Sequence, residues 1–595
     1  MAREGALRES AGIALVTIDH ERHALVVDED DATIVEVMLG RDDDGPLKKI
    51  AATTRLSSRP HDLLVLADGR VAVTLPDASA VALLTRAADG TLRETARLAT
   101  PAEPLAMALS PDDGTLWVTG GASHTLTAFN VATKTERARH DLGREPRGVL
   151  VTERGDRVVV AHAAESFVTV VRVNDGTLGT EDVGDGKCPP RENCAPPRFA
   201  RNAQRIVRTM DGTSLVPMVH SLPAPPGGFA HKGFRVSKDG TLGEGGGGGY
   251  GGDGSFGPSV QPVMAMVGPD GDAWLDFPTA EGCKAPAGAA AWAGGDRMRA
   301  VVVACPGQDR LFRVGWTKDA MLGGDTTTPV EVRGRPTDFV PVHAIEVPRG
   351  PTAIATTRNG EAAFVWSSFE RVVSLVDVAA EAPSVVVALH LPRLTPKNDA
   401  WLRGREIFAS ETMPEISADG RACTSCHVDG RDDGLVWRTP KGLRHTRLLA
   451  GQLGAGPFGW SGDAPTFEAH VRGTIQNLRG TGLGVVDMGA LKTYATSMPA
   501  PPPATSAHDV ARGKVLYRTA ECASCHEGER ATHDVGTGAT LLTPTLAGVG
   551  RRGRLMHDGR FASLDDLVAS STKMGGGSKL SSADRQALVR YLETL

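Results

Sequence analysis

One spacing recurs along the first two thirds of this chain, and it restricts the folds open to it more than any other feature. Prolines at 60, 104 and 146 stand 44 and 42 residues apart. At or just after each of them begins the same scheme: an apolar strand, a polar turn with Gly, a second apolar strand, a short polar turn and a third strand. The stretches are DLLVLADGRVAVTLPDASAVALLT from Asp62, PLAMALSPDDGTLWVTGGASHTLTAFNVAT from Pro104, PRGVLVTERGDRVVVAHAAESFVTVVRV from Pro146 and GPTAIATTRNGEAAFVWSSFERVVSLVDV from Gly350. A period of ~40–45 residues is that of a four-stranded propeller blade. Residues 12–390 hold eight to nine such lengths. Two stretches read as insertions, one from Glu181 to Ala200 and one the EGGGGGYGGDGSFGPS run from Glu244. Setting them aside leaves seven to eight blades, and seven is the expected number. A pair of β-sandwiches is the competing arrangement.

Over 56–175 and 349–380 this pattern resembles the YVTN-type seven-bladed β-propellers, whose blades follow the same Pro–strand–turn–strand order. Near Leu391 the pattern changes. HLPRLTPKNDAWLRGREIF brings Trp401, Leu402, Ile407 and Phe408 to helical spacing, and helices and loops follow. SMPAPPPATSAHD from Ser497 holds too many prolines for a regular element. The expected chain is therefore multidomain: an all-β propeller over 12–390, then mainly α domains over 395–497 and 509–595, joined by a linker over 498–508.

Eight cysteines divide into two sets. Four lie in Cys423-Thr-Ser-Cys426-His427 and Cys522-Ala-Ser-Cys525-His526. The string Cys-x-x-Cys-His attaches c-type haem: the thiols form thioethers and the His becomes the proximal iron ligand. From composition the string is expected about 0.003 times in such a chain, and it occurs twice. A zinc site built from the two Cys-x-x-Cys pairs leaves both adjacent histidines unexplained. Two covalent haems, bound through Cys423, Cys426, Cys522 and Cys525 with His427 and His526 as iron ligands, are the expectation. The second set permits two disulfides, most simply Cys188–Cys194 and Cys283–Cys305, or free thiols.

The two helical halves align without gaps downstream of the haem loops. Trp460 falls on His557, Gly462 on Gly559, Val471 on Val568 and Leu483 on Leu580. Each half opens with a Gly followed by Lys or Arg, expected ahead of a helix. The second half ends in SSADRQALVRYLETL, with Ser582 as expected N-cap and Leu588, Tyr591, Leu592 and Leu595 as an apolar stripe. Met574, in KMGGGSKL, is the expected sixth ligand of the second haem, with Met556 as the alternative. Its counterpart Asn477 ligates iron poorly. The first haem then has an open or weakly held sixth position, or takes another side chain there. His470, on a helix predicted over Thr466–Val471, and His445 are the candidates.

Residues 395–595 resemble the bacterial di-haem cytochrome c peroxidase/MauG family. The strings that carry the resemblance are the two haem motifs, TPTLAGVGRRGRLMHDGRFASLDDLV from Thr543 and GPFGWSGDAPTFEAHV from Gly456. The resemblance implies a tandem of class I-like cytochrome c domains. Its second haem accepts electrons from a small redox protein, its first reacts with hydrogen peroxide, and Trp460 lies between them. His557 falls on the family's His in the HDG string. The sequence departs from the family at three points. His470 stands where the family has a distal Gln, the distal Glu maps near Gly480, and an Asn that helps hold an interdomain Ca²⁺ maps near His445. These departures weaken the case for peroxidase turnover and for calcium.

Three functions follow as expectations. The first is a peroxide-reactive oxidoreductase with His470 and Trp460 as the catalytic residues. The second is a non-catalytic electron-transfer cytochrome whose propeller docks a partner or binds substrate. The third is a dehydrogenase with a site in the propeller, but His61, His162, His220, His231 and His343 are scattered and form no cluster. A net charge of −6 gives no case for nucleic acid. No run approaches the ~20 apolar residues of a membrane span. Covalent haem implies an exported, periplasmic protein. The start, MAREGALRESAGIALV, shows no export signal, so the signal is expected upstream of this start or already removed.

Overall fold

The computed structural model describes residues 1–3, 8–42, 45–183, 199–208, 214–223, 259–267, 272–276, 282–294, 298–317, 340–357, 360–503, 510–527, 531–536, 540–570 and 574–595. Both stretches read as insertions fall almost wholly outside these residues, as do His231, Cys188 and Cys194.

Seven sheets follow one another between residues 2 and 390, over 2–55, 63–99, 104–141, 146–182, 199–276, 288–346 and 351–390. The first and fifth have five strands and the others four. The N-terminal region is a seven-bladed β-propeller. Pro104, Pro146 and Pro351 each open the first strand of a blade. The same irregularity follows each of them, a register shift at Pro104/Met107, Pro146/Val149 and Pro351/Ala353. Proline has no N–H to give a ladder, so it suits the start of a strand.

The core consists of layers between neighbouring blades. Ile13, Leu15 and Val37 of the first blade pack on Phe364, Trp366 and Val373 of the last, which closes the ring. Polar groups also link neighbours. The buried Thr74 hydroxyl accepts from Asp62 N at 2.9 Å and donates to Leu105 O of the next blade at 3.1 Å. One blade further on, Thr119 accepts from Ala106 N at 3.0 Å and donates to Arg147 O at 3.0 Å. After the last blade, Asp31 accepts from the backbone N–H of Leu394 and Thr395 at 2.8 and 2.7 Å. Arg371 bridges Asp31 and Asp28. Cys283 and Cys305 form a disulfide.

From Asn398 onward the chain is helical. The helices are α1 (Asp399–Ala409), α2 (Phe467–Asn477), α3 (Val485–Ser497), α4 (Ala511–Thr519), the one-turn α5 (Ala523–His526), α6 (Leu564–Ser570) and α7 (Ser582–Leu592). The duplication read in the sequence is structural, with a constant offset of 97 residues. α2 and α6 begin at Phe467 and Leu564, and α3 and α7 at Val485 and Ser582. Bridges Phe458–Ala464 and Leu555–Phe561 correspond, and Gly462 and Gly559 both have φ of 64°. Ion pairs Arg403–Asp487 and Arg512–Asp584 tie each first helix to its last.

Three expectations are corrected. The lead-in glycines, Gly404 and Gly513, lie inside α1 and α4, because each lets two helix backbones touch. A Cβ on Gly404 would lie 2.1 Å from Ala490 O, and one on Gly513 2.1 Å from Ala587 O. The N-cap of α7 is Ser581, whose side chain accepts from Asp584 N, while Ser582 is the first helical residue. The helix read over Thr466–Val471 continues to Asn477, with Thr466 as its N-cap. Among the described residues no helix is long and apolar enough to cross a membrane.

The crossing at Gly404 gives a test. Gly404→Ala is expected to cost ~1–3 kcal/mol by overpacking. Gly489→Ala, exposed on α3 with nothing within 4 Å of its new Cβ, is expected to gain ~0.5–1 kcal/mol. Thermal unfolding followed by circular dichroism should move the two variants in opposite directions. Unfolding temperatures that move together contradict the crossing.

Candidate functional site

α1 leads into a turn that carries Cys423 and Cys426, with His427 beside them. All three line a cavity of about 520 Å³ walled by Phe408, Ile416, Leu448, Phe458 and Phe467. His427 Nδ1 lies 3.1 Å from the carbonyl of Arg431. A carbonyl only accepts, so Nδ1 carries the proton and Nε2 keeps its lone pair for a metal. Burial pushes His427 down to about 4, which leaves it neutral at pH 7, the form that ligates. Burial pushes the Cys423 thiol up to about 12 and Cys426 well above its ordinary value. The residues present fit a covalent haem.

The second half repeats the arrangement. α4 leads into Cys522, α5 carries Cys525 and His526, and these line a cavity of about 420 Å³. His526 Nδ1 lies 3.0 Å from Pro544 O, so again Nε2 is left for a ligand. Burial lowers His526 and raises Cys522. Met574 lies in the wall of this cavity, and so does Met556.

The cavities differ where the halves correspond. Asn477 lines the first where Met574 lines the second, and no Met lines the first. His470, on α2, lines the same cavity as His427 and stacks on Phe458 at 6.3 Å. Burial, then Arg447, lowers it to about 4, so it is a neutral imidazole at pH 7. Gly480 offers no distal carboxylate: a Cβ there would lie 2.4 Å from Ile416 O. The carboxylate that lines the cavity is instead Asp463, paired with Lys441. Neither of these two residues was singled out from the sequence. Asp463 sits in the GWSGDAP string, but only the fold brings Lys441 to it.

Trp460 and His445 line both cavities. The Trp460 Nε1–H donates to His445 O at 2.8 Å, His445 N donates to His557 O at 2.6 Å, and Leu542 N donates to Trp460 O at 2.8 Å. The Trp460 and His557 rings lie 6.4 Å apart. His445 Nε2 lies 3.8 Å from Asp432 Oδ1. Calcium takes oxygen ligands, and an imidazole supplies none. Among the described residues no group of three His, Cys, Asp or Glu side chains gathers at His445.

Residues 510–595 match the cytochrome c family, so the C-terminal region contains a cytochrome c domain, and such a domain binds haem c covalently. No curated protein matches this chain. Solved structures similar to it include Kuenenia stuttgartiensis hydrazine synthase, at 14% identity and TM-score 0.45, covering 60% of this chain and 93% of that one. A streptogramin B lyase has 12% identity and TM-score 0.36, covering 61% and 93%. Virginiamycin B lyase from Staphylococcus aureus has 11% identity and TM-score 0.35, again covering 61% and 93%. Identities and TM-scores this low transfer no activity.

Trp460→Phe keeps the ring and removes the bond to His445 O. A lost bond of this kind is expected to cost ~1 kcal/mol, read by chemical denaturation of the whole chain. An unchanged denaturation midpoint contradicts the contact.

Proposed function

We propose that this chain binds two haems of unequal chemistry, one at Cys423/Cys426/His427 and one at Cys522/Cys525/His526. The first reacts with hydrogen peroxide, and the second passes it electrons delivered by a small redox protein. The observation that carries this reading is the exchange of Met574 for Asn477 at matching places in two otherwise repeated cavities. A haem supplies reversible one-electron chemistry and, at an open axial position, a place for a small ligand.

The side chains divide the work. Met574 would hold the iron of the second site through its sulfur, a ligand that would raise the potential and suit electron entry. Asn477 leaves the first site without a sulfur ligand. His470, neutral at pH 7, can take a proton from peroxide and return it to the leaving oxygen. Trp460, in the wall of both cavities, lies on the route between them. Thioether attachment favours an exported, periplasmic location. The propeller serves as the docking module for the redox partner.

A second reading has its own support. His470 lines the same cavity as His427, so it could instead hold the iron together with His427 in a purely electron-transferring site. Visible and electron paramagnetic resonance spectra of the mixed-valence protein, before and after hydrogen peroxide, separate the two. The first reading expects a high-spin ferric signal that peroxide abolishes, lost in His427→Gly and kept in Met574→Leu. Two low-spin haems indifferent to peroxide favour the second. The pyridine haemochrome should give two haems per chain and one in Cys423→Ser/Cys426→Ser. A value of one in the unaltered protein overturns both readings.

A further inference from the structure

Two tryptophans line the cavity of His427, and their indoles have opposite surroundings. Trp437 is buried, and its Nε1–H donates to Asp433 Oδ2 at 2.9 Å. Asp433 is itself buried and fixed by Leu435 N, which donates to its Oδ1 at 2.9 Å. Its charge also raises the Cys426 thiol, which puts the carboxylate beside the attachment loop. Trp460 gives its Nε1–H to an amide carbonyl, that of His445. The Arg447 guanidinium lies over the Trp460 ring, 5.0 Å from its centroid, and donates to Gly459 O at 2.7 Å.

These surroundings set how readily each ring gives up an electron. An oxidised indole is a radical cation with an acidic Nε1–H. A buried carboxylate attracts that charge strongly in a low-dielectric interior, and it can take the proton. A guanidinium over the ring is attracted to the closed-shell quadrupole and repels the cation that oxidation creates. An amide carbonyl takes no proton.

We infer that Trp437, paired with Asp433, is the side chain oxidised first when the His427 cavity holds an oxidising equivalent, while Trp460 stays closed-shell and conducts electrons without being oxidised itself. The inference rests on the peroxide reading for its natural oxidant. Peroxide takes two electrons and two protons and leaves as two waters. One of those electrons comes from the Trp437 ring and the other from the second cavity, and both protons come from solvent. The Nε1 proton passes to Asp433 Oδ2, and no other bond of the indole forms or breaks. Reduction from the second cavity returns the electron, and Asp433 returns the proton. Asp433 is a positioning residue that acts through Trp437, and Arg447 acts on Trp460 in the opposite sense.

The test uses the full holoprotein with two oxidants: hydrogen peroxide, and light with ruthenium tris-bipyridine and persulfate, which needs no peroxide chemistry. Oxidised tryptophan is quantified at each position by peptide mass spectrometry, and freeze-quenched samples are read for an indole radical. With either oxidant, Trp437 should be oxidised several-fold more than Trp460. Asp433→Asn should bring Trp437 down to the Trp460 level, and Asp433→Glu should restore it. Arg447→Gln should raise oxidation of Trp460 several-fold, and Arg447→Lys should not. Under the photo-oxidant, equal oxidation of the two in the unaltered protein, or no effect of Asp433→Asn, overturns the inference. The expected photo-oxidation pattern with no response to peroxide upholds the inference and overturns the peroxide reading.

Discussion

Each Cys-x-x-Cys-His loop in the C-terminal region is held by a contact between two helix backbones at a glycine. Gly404 lets α1 lie against Ala490 and Tyr494 of α3, and Gly513 lets α4 lie against Ala587 and Tyr591 of α7. Aromatic rings close around both crossings: Tyr494 meets Trp401 and Phe408, and Tyr517 meets Tyr591. Helices normally pack 8–10 Å apart, at a distance set by the side chains between them, and at these points there is none. The loop that follows each first helix carries the thiols and the imidazole, so its position is inherited from the crossing. The walls of both cavities come from the same helix pairs and the apolar residues packed around them.

Burial then sets the chemistry of the groups on those loops. It lowers His427 and raises the Cys423 and Cys426 thiols, and it shifts His526 and Cys522 in the same directions. Carbonyl oxygens at Arg431 and Pro544 fix the tautomers of the imidazoles of His427 and His526. The halves part at the opposite walls, where a sulfur in one corresponds to an amide in the other, and where His470, Asp463 and Lys441 have no counterparts of like chemistry. A duplicated frame with a divergent wall gives the two cavities different side chains to offer.

The propeller depends on a different kind of repetition. Its blades share apolar layers, and buried threonine hydroxyls tie the second strand of one blade to the first strand of the next. The ring closes by packing the first blade on the last. The segment that follows the ring is then fixed by a buried carboxylate that accepts two backbone N–H groups.

The sequence by itself determined what is local. A period near 43 residues specified blades, because each blade is a short meander whose turns and strand starts need Pro and Gly at fixed places. The strings Cys-x-x-Cys-His specified haem attachment, because thioether chemistry needs two thiols one turn apart with the ligand next to them. The gapless alignment of the halves set Met574 against Asn477. What the tertiary structure decided is non-local. That Gly404 and Gly513 are crossing points, and not helix starts, depends on partners some 80 residues away. The pairing of Lys441 with Asp463, the place of Trp460 and His445 in both walls, and the opposite surroundings of Trp437 and Trp460 come from loops whose residues follow no periodicity. Such contacts are set by how elements pack, and no spacing along the chain encodes them.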